Sequence, residues 1–149
     1  MKTSNQTIEC IKYFEGFSAR HYICPAGYRT IGYGHLIKKH EDFSHISIQE
    51  ANKILLLDIE TIELAVLRLT NIILSQNQFD ALVSFVFNLG SAAYQRSSLR
   101  AKVNRGDHEN VPKEFCRWVY VNTRIIPGLV KRRNFEANLY AGIRMKIIQ

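Results

Sequence analysis

Glu15, Cys24 and Thr30 are the residues whose types and spacing best fit bond-breaking chemistry. They share one stretch, KYFEGFSARHYICPAGYRTIGYGHL. The thiol follows the carboxyl by nine residues, and the hydroxyl follows the thiol by six, just before Ile31-Gly32-Tyr33-Gly34-His35. Cleaving a glycosidic bond needs a proton donor for the leaving oxygen. It also needs a group on the opposite face of the sugar that activates water or attacks directly. Glu15 suits the first task. A carboxyl at a helix C-terminus faces the negative end of the macrodipole, and partial burial beside Phe14 and Phe17 acts in the same sense, so both favour the protonated form. Taken alone, a glutamate at a helix end is more often an exposed structural residue. Thr30 can orient a water, although a lone threonine in a strand is more often just a good strand former. Cys24 is a soft nucleophile only as thiolate, and Arg20, His21 and Arg29 are close enough in sequence to lower its pKa. The default for a free cysteine is a small buried hydrophobe, and Cys10 and Cys116 are assigned that role among helical core residues.

These groups need elements to hold them. Ser4 is placed to cap a first helix with an apolar stripe of Ile8, Ile11 and Phe14, stopped by Gly16. Residues 17–36 alternate aromatic and aliphatic residues with Pro25, Gly27, Gly32 and Gly34, which predicts short strands and turns forming a small hairpin. Ser47-Ile48-Gln49-Glu50 is a capping box. It opens a helical pattern to about residue 70, and a helix of some 20 residues spans about 30 Å. Ser75-Gln76-Asn77-Gln78 is a second capping box. The FDALVSFVFNLG that follows is apolar nearly all round, as in a buried helix ended by Gly90. Short helices are expected near 98–105, 111–118 and 129–143, with Pro127-Gly128 marking the break before the last.

The composition suits one domain with a substantial core: 149 residues, 46% hydrophobic. No stretch reaches the ~20 apolar residues of a membrane helix. The N-terminus lacks the apolar segment of a secretory signal. Three cysteines without CxxC spacing argue against a disulfide framework and a structural zinc site. The net charge of +7, with one cluster at Lys131-Arg132-Arg133, favours anionic partners such as cell-wall polymers, but equally fits a solvated face. No nucleic-acid-binding motif accompanies it.

Four segments, EGF…CPAGYRTIGYGH, QNQFDALVSFVFNLG, FCRWVY and IIPGLVKRRNFEANLY, resemble in order and spacing the phage-type lysozymes (endolysins) of glycoside hydrolase family 24. The resemblance covers nearly the whole chain. Its most specific piece is E-x8-C-x5-T leading into IGYGH. It implies that Glu15 is the general acid, that Cys24 stands at the position of the family's usual aspartate, and that Thr30 matches its threonine. It further implies that Phe87 and Asn88 line the sugar cleft, that Gly34 and Leu36 form the opposite wall, and that His35 and Asp58 are a structural pair.

The implied fold is α+β and mostly α. A small N-terminal lobe with a hairpin (about 1–47) is joined by a linking helix (about 48–70) to a helical C-terminal lobe (about 71–149). The implied reaction is hydrolysis of the β-1,4 bond between N-acetylmuramic acid and N-acetylglucosamine in peptidoglycan. No metal or organic cofactor is implied. The protein is expected to be a monomer without a membrane anchor, kept in the producing cell's cytoplasm until a holin-type pore releases it to the wall. Two alternatives remain at this level: a lytic transglycosylase giving 1,6-anhydro products, and a non-catalytic basic wall-binding protein. A chitinase-like specificity is a third, weaker one.

Overall fold

The structure, a computed structural model, describes residues 1–143. The final residues of the expected C-terminal lobe, 144–149, lie outside the described residues. The chain is mostly helical with a small N-terminal sheet, as its sequence patterning predicts.

Helix α1 (Asn5–Glu15) starts where Ser4 accepts a hydrogen bond from the Thr7 amide, and it ends at Gly16, with φ +70°. Two buried carboxylates anchor its first turn. Glu63 accepts from both the amide and the hydroxyl of Thr3, at 2.7 and 2.8 Å, while Asp80 accepts from Ser4 and Thr7. The start of α1 is thus tied to two other helices, which fixes the direction in which its last residue, Glu15, projects.

The chain then forms a three-stranded antiparallel sheet of β1 (Ser18–Ile23), β2 (Arg29–Gly32) and β3 (His35–Leu36), with an irregularity in β1 between Ser18 and Tyr22. The expected hairpin is its first two strands. Ile31, Ile46 and Ala51 make a small core between this sheet and the next helix. A side chain at Gly32 would come within 3.1 Å of Ile46 and 3.3 Å of Ala51, so this backbone needs glycine both for space and for its φ of +63°.

Helix α2 (Ile48–Leu69) begins with the expected capping box of Ser47 and Glu50. Its 22 residues correspond to about 33 Å. Helix α3 (Gln76–Leu89) carries the second capping box, Ser75 with Gln78, and buries every residue from Phe79 to Val86. The main core surrounds α3 and includes Leu55, Ile59 and Val66 of α2. Among the described residues, four more helices follow: α4 (Ser91–Arg96), α5 (Ser98–Asn104), α6 (Val111–Phe115) and α7 (Pro127–Tyr140). Among the described residues, no helix is long and apolar enough to cross a membrane.

Three sequence expectations need correction. The helix near 111–118 ends at Phe115, and the chain turns into a second hairpin, β4 (Tyr120–Val121) with β5 (Arg124–Ile125). Its turn holds Asn122 at φ +55°, a conformation that asparagine tolerates better than most residues. Cys116 is exposed rather than in the core, because it sits just past the end of α6 and its thiol points towards Asn134. The Lys131-Arg132-Arg133 cluster is not a solvated face, since Arg132 and Arg133 are both buried.

Candidate active site

Glu15 is partly buried at the C-terminal end of α1, and the partner that organises it comes from the far end of the chain. Arg132 Nη1 of α7 donates to Glu15 Oε1 at 2.6 Å, while the arginine lies with its guanidinium 5.4 Å from the centre of the Phe14 ring. The second carboxylate oxygen faces the sheet. A side chain built on Gly34 would come within 2.8 Å of Glu15 Oε2, and Gly34 adopts φ +80°. Glycine here lets the loop backbone close onto the carboxylate. Leu36, two residues on, is exposed on β3.

Cys24 and Thr30 lie on the other arm of this sheet. Thr30 is buried in β2, opposite Tyr22 in one direction and Leu36 in the other. Its hydroxyl donates to the Tyr28 carbonyl at 3.1 Å. The Cys24 amide donates to the same carbonyl at 2.9 Å, closing the tip of the hairpin. The Cys24 thiol is held below its ordinary range, first by hydrogen bonding with the Tyr28 backbone and then with the Thr30 hydroxyl. The backbone of Ala26 and Gly27 adds to this, and desolvation opposes it. The cause therefore differs from the cationic neighbours that the sequence suggested: the turn itself stabilises a thiolate. Thr30 has one hydroxyl hydrogen, so donating to sulfur withdraws it from the Tyr28 carbonyl.

Tyr22 was not singled out in the sequence. Burial raises its phenol pKa, and the negative charges of Glu15 and Cys24 push it the same way. This ring therefore lies within electrostatic reach of both candidate groups. On α3, Asn88 accepts a hydrogen bond from Arg133 Nη2, and Phe87 packs against the main core.

His35 lies next to Gly34 and is hydrogen-bonded to Asp58. Its Nδ1 is 2.7 Å from Asp58 Oδ2, and its Nε2 is 2.9 Å from Glu41 Oε2, a partner the sequence did not suggest. The Asp58 hydrogen bond raises the His35 pKa above its ordinary value; burial opposes this, and Glu41 adds to it. For Glu41, burial pushes the carboxyl pKa up, but the Lys38 amide and His35 outweigh it, and the net shift is downward. A raised histidine contributes stability that is full below its unfolded pKa, about 6.5, and is lost as pH rises through the folded value. The lowered Glu41 contributes above its unfolded pKa, about 4.3, and loses that contribution as pH falls through its folded value. Asp58→Asn is therefore expected to lower stability most near pH 6, by roughly 1.5–3 kcal/mol. The deficit should shrink as pH climbs past the folded His35 pKa. Thermal unfolding of both proteins between pH 5 and 9 checks this, and a gap independent of pH would refute it.

Among the described residues, no group of three or more His, Cys, Asp or Glu side chains is arranged to hold a metal ion. The residues that sequence reading missed, Arg132, Tyr22 and Glu41, come from other elements or from an unremarkable loop. The RR-x-x-E run on the last helix was the one available signal for Arg132.

Residues 12–136 match the family described as phage lysozyme. The chain belongs to the phage lysozyme family. One relative, an endolysin of Acyrthosiphon pisum secondary endosymbiont phage 1, is 35% identical over 144 residues, covering 94% of this chain and 98% of that protein. An endolysin of Bacillus phage B103 is 36% identical over 142 residues. There the match covers 94% of this chain but only 54% of the relative, so the chain spans about half of that protein's length. Among solved structures, the muramidase domain of SpmX from Asticaccaulis excentricus superposes with a TM-score of 0.84 at 34% identity, covering 93% of this chain and 97% of that one. That domain shares the overall fold described above.

Proposed function

We propose that this chain is a glycoside hydrolase of the endolysin type, cleaving the β-1,4 bond between N-acetylmuramic acid and N-acetylglucosamine in peptidoglycan. The observation that carries the reading is the placement of Glu15. One carboxylate oxygen is held by Arg132 and the other borders Gly34, with Cys24 at the tip of the neighbouring hairpin and Thr30 on its strand β2. The printed names of the relatives, endolysins and a muramidase domain, support the same class of activity.

In this reading Glu15 is the general acid. Arg132 occupies Oε1, which leaves Oε2 to carry the proton delivered to the leaving glycosidic oxygen. Cys24 and Thr30 hold a water on the opposite face of the sugar. Its oxygen bonds to the anomeric carbon as the glycosidic bond breaks, and its proton passes to the Cys24 thiolate or to solvent. Attack from that face inverts the configuration. Phe87, Asn88, Gly34 and Leu36 contact the sugars. The chain works as one domain and as a monomer, and a holin-type pore lets it reach the wall.

Mass analysis of the muropeptides released from purified sacculi tests the reaction. Hydrolysis leaves reducing-end N-acetylmuramic acid, which borohydride reduces. A 1,6-anhydro product, which borohydride does not reduce, would reassign the chain as a lytic transglycosylase. Binding to sacculi without any release would make it a wall-binding protein.

A further inference from the structure

Helix α7 buries charge where a core helix ordinarily buries aliphatic side chains. Arg133 and Glu136 are both 0% exposed, and Arg132 is 3% exposed. Their spacing of three and four residues puts all three on one helical face. That face packs on α3, where Ser84 and Asn88 are likewise one turn apart.

The carboxylate of Glu136 is the centre of this cluster. Its Oε1 accepts from the Ser84 hydroxyl at 2.7 Å and from Arg132 Nε at 3.3 Å. Its Oε2 lies 2.9 Å from Arg133 Nη1. Two arms leave it. Arg132 extends Nη1 to Glu15 and Nη2 to the Ser84 carbonyl at 3.1 Å. Arg133 extends Nη2 to the Asn88 side chain, with its guanidinium 5.0 Å from the centre of the Phe85 ring.

Stability does not account for such a cluster. Desolvating several charges is costly, and replacing buried ion clusters by apolar residues is often neutral or stabilising. The bonding is also incomplete, since Arg133 Nε and Nη1 and Glu136 Oε2 have no well-aligned hydrogen-bond partner. What the cluster does provide is orientation, because a planar guanidinium bound at both ends transmits direction from one side chain to another.

We propose that Glu136 is a positioning residue that sets two groups at once, aiming Glu15 through Arg132 and Asn88 through Arg133. This rests on the reading of Glu15 as acid and Asn88 as a sugar contact, and it couples the placement of the acid to the placement of the substrate.

Steady-state kinetics on soluble peptidoglycan oligosaccharides separates the two arms, with near-UV circular dichroism verifying each fold. Arg133→Met removes the Asn88 arm together with the charge facing Glu136 Oε2, while Ser84 and Arg132 still hold Oε1; it is expected to raise KM by about 5-fold, with the smaller effect on kcat. Ser84→Ala removes the shorter of the two hydrogen bonds to Glu136 Oε1 while keeping every charge, and it should lower kcat by about 3–10-fold, since small misplacements at a reacting group are costly. Glu136→Gln should do both. If that variant does not fold, the first two decide. Wild-type kcat and KM in folded Arg133→Met and Ser84→Ala would overturn the proposal. Glu15→Gln in the same assay keeps the two failures apart. An inactive Glu15→Gln beside two unaffected variants discards only the positioning role, whereas an active one removes the mechanism beneath it.

Discussion

Glu15→Gln is expected to reduce lysis at least ~10²–10⁴-fold, the contribution of general acid–base catalysis, while leaving the fold intact. The amide matches the carboxylate in shape. Its oxygen still accepts from Arg132, which directs the amide nitrogen towards Gly34 and the space that Oε2 occupies in the wild type. A proton cannot be delivered from that nitrogen to a glycosidic oxygen. Loss of the ion pair costs some stability, because Arg132 is buried, but Glu136 remains beside it. Turbidity of chloroform-treated Gram-negative cells measures the loss, and thermal unfolding verifies the fold. Clearance near the wild-type rate would remove Glu15 from the mechanism.

The second large effect is expected at Cys24. Its thiol is tuned towards thiolate by the turn that carries it, and in the proposed reaction it faces the attacking water. Cys24→Asp restores a carboxylate and should keep substantial activity. Cys24→Ala should lose most of it, on the order of 10²-fold if base assistance is removed. Little stability should be lost, because the side chain lies in a surface hairpin outside both hydrophobic cores. Thiol reagents should inactivate the enzyme and substrate fragments should protect it. The experiment is cleanest with Cys116 replaced, because that thiol is exposed and would react as well. Buried Cys10 should affect stability alone when truncated. Full activity in Cys24→Ala would exclude the thiol from the reaction. A glycosyl adduct trapped on Cys24 would replace the water-mediated step with direct attack and retention.

The parts of this molecule that are legible in sequence are those specified by neighbours in the chain. Ser4, Ser47 and Ser75 announce their helices because a cap and its amide lie within three residues. Gly16 marks the end of α1 and so the position of Glu15. The family motif picks out Cys24 and Thr30, which fall at the tip and on the second strand of the hairpin that follows. Arg132 is different: it meets Glu15 across 117 residues, and no local pattern encodes such a distance. In sequence its cluster looks like surface charge, because buried and solvated arginines have the same letter. The β4–β5 hairpin was missed for another reason. Two-residue strands are too short to show alternation, and their turn relies on Asn122 rather than on glycine.

Burial also redistributes what an approaching polyanion encounters. The chain's formal charge is +7, counted over all 149 residues with histidine neutral. Among the described residues, six of the charged side chains in that count are buried: Arg132 and Arg133 against Glu63, Asp80, Glu114 and Glu136. Two positive charges and four negative ones remove −2 from the total, so the remainder of the chain carries +9. Outside these six side chains the chain is more basic than the sequence total, because the described interior preferentially takes up acids, as helix anchors and charge partners. Altering the net charge by counting letters would misjudge the starting value by two. Neutralising Glu63 or Asp80 to make the protein more cationic would weaken the ties that hold α1, and with it Glu15, in place.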